Sequence, residues 1–226
     1  MKTVAVILSG CGYLDGAEIR ESVAVLLALA RQKVRVEIFA PDAPQSGVVN
    51  HLTGNPTGET RNILVEAARI ARGNVQPLSA LPELDYDALI MPGGFGVAKN
   101  LCTFASEGAN GKILYPELEH DIKGMHSDGR PIGAICISPA LIGIALRVDE
   151  RSSTGEGIEM TLGAEGGAAD ELRKLGHKHF VTKPSEIHVD KKHKIVTTPA
   201  YMYDDAPIDQ VFTGIEKLVE AVMGMA

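Results

Sequence analysis

Four apolar runs, Val4 to Leu8, Val34 to Phe39, Ala88 to Met91 and Ile132 to Ile137, most limit what this chain can fold into. Each is nearly continuous rather than alternating, so each requires cover on both faces, the condition met by strands of a parallel sheet. The intervening segments carry helical spacing. Ile19, Val23, Leu26, Leu27 and Ala30 recur at that spacing after the first run, and Ile63, Ala67 and Ile70 form a stripe that stops at Gly73. The resulting β-α-β-α-β pattern predicts an α/β fold with a mostly parallel sheet and helices on both faces.

Further helices are expected over Leu114 to His126 and along the stripe Ile208, Val211, Phe212, Ile215, Leu218, Val219 and Val222, which should pack on the sheet. "HKIVTTPAYM" reads as a late strand, and "RSSTGEGIEMTLGAEGGAAD" as mostly surface loop. "FGVAKNLCTFASEGANGK" reads as an insertion that covers a crevice or meets a partner. With 226 residues and no repeat or linker, a single domain spanning 1–226 is expected.

Composition narrows the function classes. Hydrophobic residues at 45% and charged residues at 23% suit a globular core, while a net charge of -7 with no run of Lys or Arg argues against a nucleic-acid partner. The apolar stretch in "MKTVAVILSG" is far below the ~20 residues of a membrane span. It reads as a first strand, and a cytoplasmic protein without a membrane partner is expected. Cys11, Cys102 and Cys136 are odd in number and include no CxxC, so neither a disulfide framework nor a zinc ribbon is expected.

In such a sheet the ligand crevice lies beyond the carboxyl ends of the strands. The stretches there are "SGCGYLDGAE", "APD", "PGGFG" and "CISPA". A nucleophile elbow needs small residues on either side of the nucleophile because its backbone turns tightly. Ala134 and Ser138 flank Cys136 in this way, and Pro139 suits the first turn of a following helix. A helix start there would favour thiolate, lowering the thiol pKa by about one unit or more. The alternative is a structural cysteine in the core.

The paired glycines of "PGGFG", Gly93 and Gly94, allow close approach of backbone to ligand, and the N–H groups of Gly94 and Ile137 suit an oxyanion hole. Glu18 has two readings, and residue spacing is consistent with both. It completes a capping box with Asp15, or it points into the crevice, partly desolvated, and moves a proton. Gly10, Gly12 and Gly16 also match a loose dinucleotide pattern with Asp42 after the second strand, but that use would leave the Cys136 turn without a role.

Together, "SGCGYLDGAEI", "VNHLTG", "ETRNILVEAARIARG", "MPGGFGVAKNL" and "KIVTTPAYM" resemble, over nearly the whole chain, the ElbB-type isoprenoid-biosynthesis-associated proteins of the ThiJ/PfpI and amidotransferase-like superfamily. The resemblance implies a flavodoxin-like three-layer sandwich and an oligomer, expected here as a homodimer. It also implies Cys136 as nucleophile with Glu18 as its acidic neighbour, in a glutathione-independent glyoxalase (a lyase) with no cofactor and no metal. The substrate would be glyoxal or methylglyoxal and the product the 2-hydroxy acid. Hydrolytic members of that superfamily place a His directly after the cysteine, where this chain has Ile137. Protease and glutaminase activities are therefore not expected. "HKHFV" and "EIHVDKKHK" read as solvated surface, which leaves His51, with Gly12 and Gly93, as the pocket candidates. A redox-sensing cysteine and a scaffold with a vestigial pocket are the alternatives from other classes.

Overall fold

The computed structural model describes residues 1–83, 85–148 and 156–226. In chain order the strands are β1 (Thr3–Ile7), β2 (Arg35–Ala40), β3 (Val49–Asn50), β4 (Asn55–Pro56), β5 (Gln76–Pro77), β6 (Ala88–Met91), β7 (Ile132–Ile135), β8 (Glu159–Met160), β9 (Lys178–His179), β10 (His188–Asp190) and β11 (Ile195–Thr198). The α-helices are α1 (Ile19–Arg31), α2 (Ile63–Ala71), α3 (Phe104–Glu107), α4 (Pro116–Ser127), α5 (Pro139–Ala145), α6 (Gly167–Lys174) and α7 (Ile208–Met225).

Seven strands form the central sheet in the order β10-β11-β7-β6-β1-β2-β5, parallel throughout except at the β10 edge. Successive strand residues face opposite ways, and each face has its own core. Ala5, Ile7, Leu89 and Met91 pack with Leu118 and Ile122 of α4 and Leu141 and Ile142 of α5. Val4, Val6, Leu8 and Ile90 pack with Val25 and Leu29 of α1, Ile63 of α2 and Leu218 and Val222 of α7. Two buried faces explain why the strands read as continuous apolar runs. From β1 the chain builds β2 and β5 on one side and β6, β7 and β11 on the other, so the crevice opens where β1 meets β6.

Several details differ from the expectations. The stripe Ile19, Val23 and Leu27 is the outer face of α1, 45%, 45% and 42% exposed, while Glu21, Ser22, Val25, Ala28 and Leu29 turn inward. The helix is apolar on both sides, and periodicity alone selects the wrong one. Part of the stretch 95–112 read as an insertion belongs to the core: Val97–Leu101 forms a π-helical turn whose Val97, Ala98 and Leu101 are buried there. Within the expected loop 151–170, residues 151–155 lie outside the described residues. Ile158, Met160 and Leu162 are buried, and α6 starts at Gly167. His177 is also buried rather than solvated, with Nδ1 accepting from Ile158 N (3.2 Å) and Nε2 bonded to Gly143 O (3.1 Å).

Candidate active site

The turn after β7 is an elbow. Cys136 takes φ of 60°, a left-handed conformation that costs a non-glycine residue on the order of 1–3 kcal/mol and persists only when its surroundings impose it. Three bonds do so. Cys136 N donates to Thr198 O (2.9 Å), Ser138 N to Ile135 O (3.0 Å), and the buried Ser138 hydroxyl to Pro92 O (2.7 Å). Ser138 thereby fastens the end of β7 to the end of β6, and Ala134 and Ser138, both fully buried, leave room for the turn. Pro139 opens α5 with its missing N–H at a position that needs no donor.

Glu21, not Glu18, is the carboxyl set beside Cys136: a Cβ built on Gly93 would touch both Glu21 Oε2 and Cys136 Cβ, and each group shifts the acidity of the other. Glu21 is fully buried, and its two oxygens accept from Gly93 N (2.8 Å) and Tyr201 N (3.2 Å). Glu18 is the N-cap of α1, where Oε2 accepts from Glu21 N (2.6 Å) and the backbone N–H donates to Gly93 O (2.9 Å). The capping box with Asp15 does not form either: Asp15 is buried and accepts from Val49 N (2.8 Å) instead. Helical geometry gives the reason. Once the helix starts at Ile19, the face carrying Val25, Ala28 and Leu29 also carries residue 21, one turn beyond the cap. A glutamate on the inward stripe is the sequence signal for this position, and the competing apolar stripe Ile19, Val23 and Leu27 masks it.

The backbone amides of Gly94 and Ile137, the two N–H groups named from the sequence, act on the Cys136 thiol and pull its pKa down. Gly93 lies under the pair. A Cβ there would stand 2.3 Å from Cys136 Cβ and 2.7 Å from Glu21 Oε2, which leaves no space for any side chain. Gly94, at φ of 100°, meets the backbone of Gly16 and Ala17 as closely. The glycine loop after β1 is likewise folded on itself, with Gly16 N donating to Gly12 O (2.6 Å), and Gly96 N donating to Gly16 O (2.9 Å). Its glycines serve close packing against "PGGFG", and Asp42 is engaged by Asn62 Nδ2 (2.8 Å).

The electrostatics depart from the expected low-pKa thiol. Burial, then the Glu21 charge, pushes the Cys136 thiol well up, against the pull of the Gly94 and Ile137 amides. Burial, then the Glu18 charge, raises Glu21 to about 8. At neutral pH the resting pair therefore holds both protons, and ionisation belongs to the pair rather than to either group. His51 lies on the hairpin of β3 and β4, accepts from Leu14 N (3.2 Å) through Nε2 and meets the Tyr13 ring edge-on. A Cβ on Gly12 would stand 2.6 Å from His51 Nε2, so these two pocket candidates adjoin each other. None of the charges that shift Cys136 is a histidine. All three cysteines are free thiols; Cys102 is buried and donates to Val97 O (3.3 Å).

Comparison with known proteins places this geometry. No protein-family model matches the chain. The human glutamine amidotransferase-like class 1 domain-containing protein 3, mitochondrial, is 44% identical over 97% of this chain and 82% of its own length. The rat ES1 protein homolog, mitochondrial, is 42% identical with the same coverage. The cytoplasmic location expected from the sequence does not stand, since these relatives are named mitochondrial. The crystal structure of an isoprenoid biosynthesis protein with an amidotransferase-like domain from Ehrlichia chaffeensis matches with a TM-score of 0.88 and 35% identity, over 100% of this chain and 99% of that one. Drosophila melanogaster DJ-1beta, at 17% identity and a TM-score of 0.54 over 100% of this chain and 95% of its own, shares the flavodoxin-like fold. The chain belongs to the glutamine amidotransferase-like class 1 domain family.

Proposed function

We propose that this protein is an ElbB-type, cofactor-independent glyoxalase in which Cys136 and Glu21 convert glyoxal or methylglyoxal to the 2-hydroxy acid. The observation that carries the reading is the buried Glu21 carboxyl set beside Cys136 across Gly93, with Cys136 held left-handed on the elbow after β7. Glu21 replaces Glu18 as the proton carrier because it is the carboxyl within reach.

Cys136 thiolate adds to the aldehyde carbon, and the resulting alkoxide takes the proton of Glu21, giving a hemithioacetal. The Gly94 and Ile137 amides stabilise the negative oxygen as it forms next to the sulfur. Glu21, now ionised, removes the proton from that carbon to give an enediol and returns it to the neighbouring carbon, which leaves a thioester of the hydroxy acid. Water cleaves the thioester and regenerates thiol and carboxylic acid. The net change is addition of one water to the dicarbonyl, with no oxidant and no leaving group that needs histidine protonation. A group poised near pH 8 suits this traffic, because it both gives and takes a proton at modest cost.

The test follows methylglyoxal consumption and lactate formation by NMR. Cys136→Ala should abolish both, and retention of most turnover would refute the assignment. Glu21→Gln should leave thiol addition possible but stop the carbon-to-carbon proton transfer.

A redox role is the second reading, favoured by the same contact: a protonated Glu21 can donate a hydrogen bond to a sulfinate on Cys136. Selective oxidation of Cys136 by mild peroxide without dicarbonyl turnover would favour it. Homodimerisation is supported by the exposed apolar stripe Ile19, Val23 and Leu27 on α1, and light scattering of Val23→Glu against the parent chain tests it.

A further inference from the structure

We propose that the cavity between the β8–β9 pair and the turn after β10 is a second ligand site, which takes a small phosphorylated polyol: lysine ammoniums hold the phosphate and carboxylates accept from the hydroxyls. The site is independent of the chemistry at Cys136.

Its place in the fold separates the two. β11 runs parallel to β7, with Ile195 beside Ile132 at their amino ends and Thr198 beside Ile135, next to the elbow. The turn 191–194 leads into β11, so the cavity lies at the end of the sheet opposite Cys136. It measures about 280 Å³, just below the range that encloses drug-sized ligands, which suits a polyol phosphate of a few carbons.

The walls are held by buried polar contacts. Asp190, only 4% exposed, organises them. Its Oδ1 accepts from His193 N (3.0 Å), and its Oδ2 from Glu159 N (2.9 Å) and His193 Nδ1 (2.7 Å), which joins the turn to β8. A carboxylate only accepts, so His193 carries a proton on Nδ1 and keeps Nε2 for a ligand. The His126 ring stacks on His193 with centroids 5.5 Å apart and steadies the imidazole plane. Glu159 is steadied in turn by His188, whose Nε2 bonds Glu159 Oε2 (3.3 Å) and whose ring stacks on Phe180 with centroids 4.2 Å apart.

Charge gives the site its selectivity. Lys178, Lys191 and Lys192 all line the cavity. Lys192 pairs with Glu156 and Lys178 with Glu159 (3.5 Å), and all four of these side chains are more than a third exposed. Exposed pairs of this kind contribute little to stability, so a phosphate can take over the lysines at small cost. The released carboxylates then accept hydroxyl protons. Ammonium groups are compact charges that suit a tetrahedral phosphate, and among the described residues no guanidinium lines the cavity for planar recognition of a carboxylate.

The test titrates the full chain with sorbitol 6-phosphate by isothermal calorimetry, with sorbitol and inorganic phosphate as controls. The probe has no carbonyl, so Cys136 cannot capture it covalently. Saturable binding at least about tenfold tighter than that of either control is expected. Lys191→Ala combined with Lys192→Ala should weaken it about tenfold, and Glu159→Gln should weaken sorbitol 6-phosphate while leaving inorganic phosphate unchanged. Cys136→Ala should bind as the parent does. On the parent chain the ring nitrogen resonances of His193 should shift on addition of the probe, and those of His51, on the β3–β4 hairpin, should not. Absence of saturable binding, binding no tighter than that of inorganic phosphate, or an affinity indifferent to the lysine substitutions overturns the proposal. Loss of binding in Cys136→Ala, or shifts at His51 in place of His193, overturns it as well.

Discussion

Replacing Glu21 by Gln should make the stability difference between variant and parent depend strongly on pH. An unfolded glutamate ionises near 4.5, whereas Glu21 in the fold holds its proton to about 8. Between those values the unfolded chain has released a proton that the folded chain retains, so the parent loses stability as pH rises through this window. The separation of three and a half units, at about 1.4 kcal/mol each, sets an upper limit of about 5 kcal/mol on that loss. Gln carries no titrating proton. It also cannot satisfy both Gly93 N–H and Tyr201 N–H with oxygen acceptors, which costs about 1–3 kcal/mol at every pH. The variant should therefore be the weaker protein near pH 5 and equal to or stronger than the parent near pH 8. Urea unfolding at several pH values measures this directly, and groups common to both chains cancel in the difference. A difference that stays flat from about pH 5 to about pH 8 would refute the claim that Glu21 is buried as the neutral acid.

Gly93→Ala should disturb the site most, because its methyl group overlaps Cys136 Cβ and Glu21 Oε2; a loss of about 3 kcal/mol in unfolding free energy and of Cys136 alkylation is expected. Ser138→Ala leaves the buried Pro92 carbonyl without its hydroxyl donor and should cost about 1–2 kcal/mol, read from denaturant midpoints. Arg72→Gly should instead raise the thermal midpoint, by a gain of about 0.5–1 kcal/mol, since Arg72 ends α2 at φ of 53° where glycine is unstrained.

The local sequence was sufficient wherever a pattern depends on neighbours within a few residues. The four apolar runs announced strands buried on both faces, and Ala134, Ser138 and Pro139 around Cys136 announced a tight strand-to-helix turn, which the left-handed cysteine fulfils. Gly94 and Ile137 are legible for the same reason, as backbone amides beside that turn that act on the thiol. Which face of α1 turns inward was not legible. Ile19, Val23 and Leu27 on one side rival Ala24, Val25, Ala28 and Leu29 on the other in apolar character, so only packing against α7 and the sheet decides between them. That decision set Glu21 rather than Glu18 beside Cys136.

The thiol's acidity follows the same division. A helix start beside a cysteine suggests a stabilised thiolate, yet closing the crevice with Gly93, Tyr201 and the elbow itself removes the water that a free charge requires. Periodicity and turn chemistry are short-range properties, written into the chain and readable there. Desolvation and the meeting of residues 21, 93, 136 and 201 are long-range ones, which arise only when the ends of β6, β7 and β11 are brought together with α1.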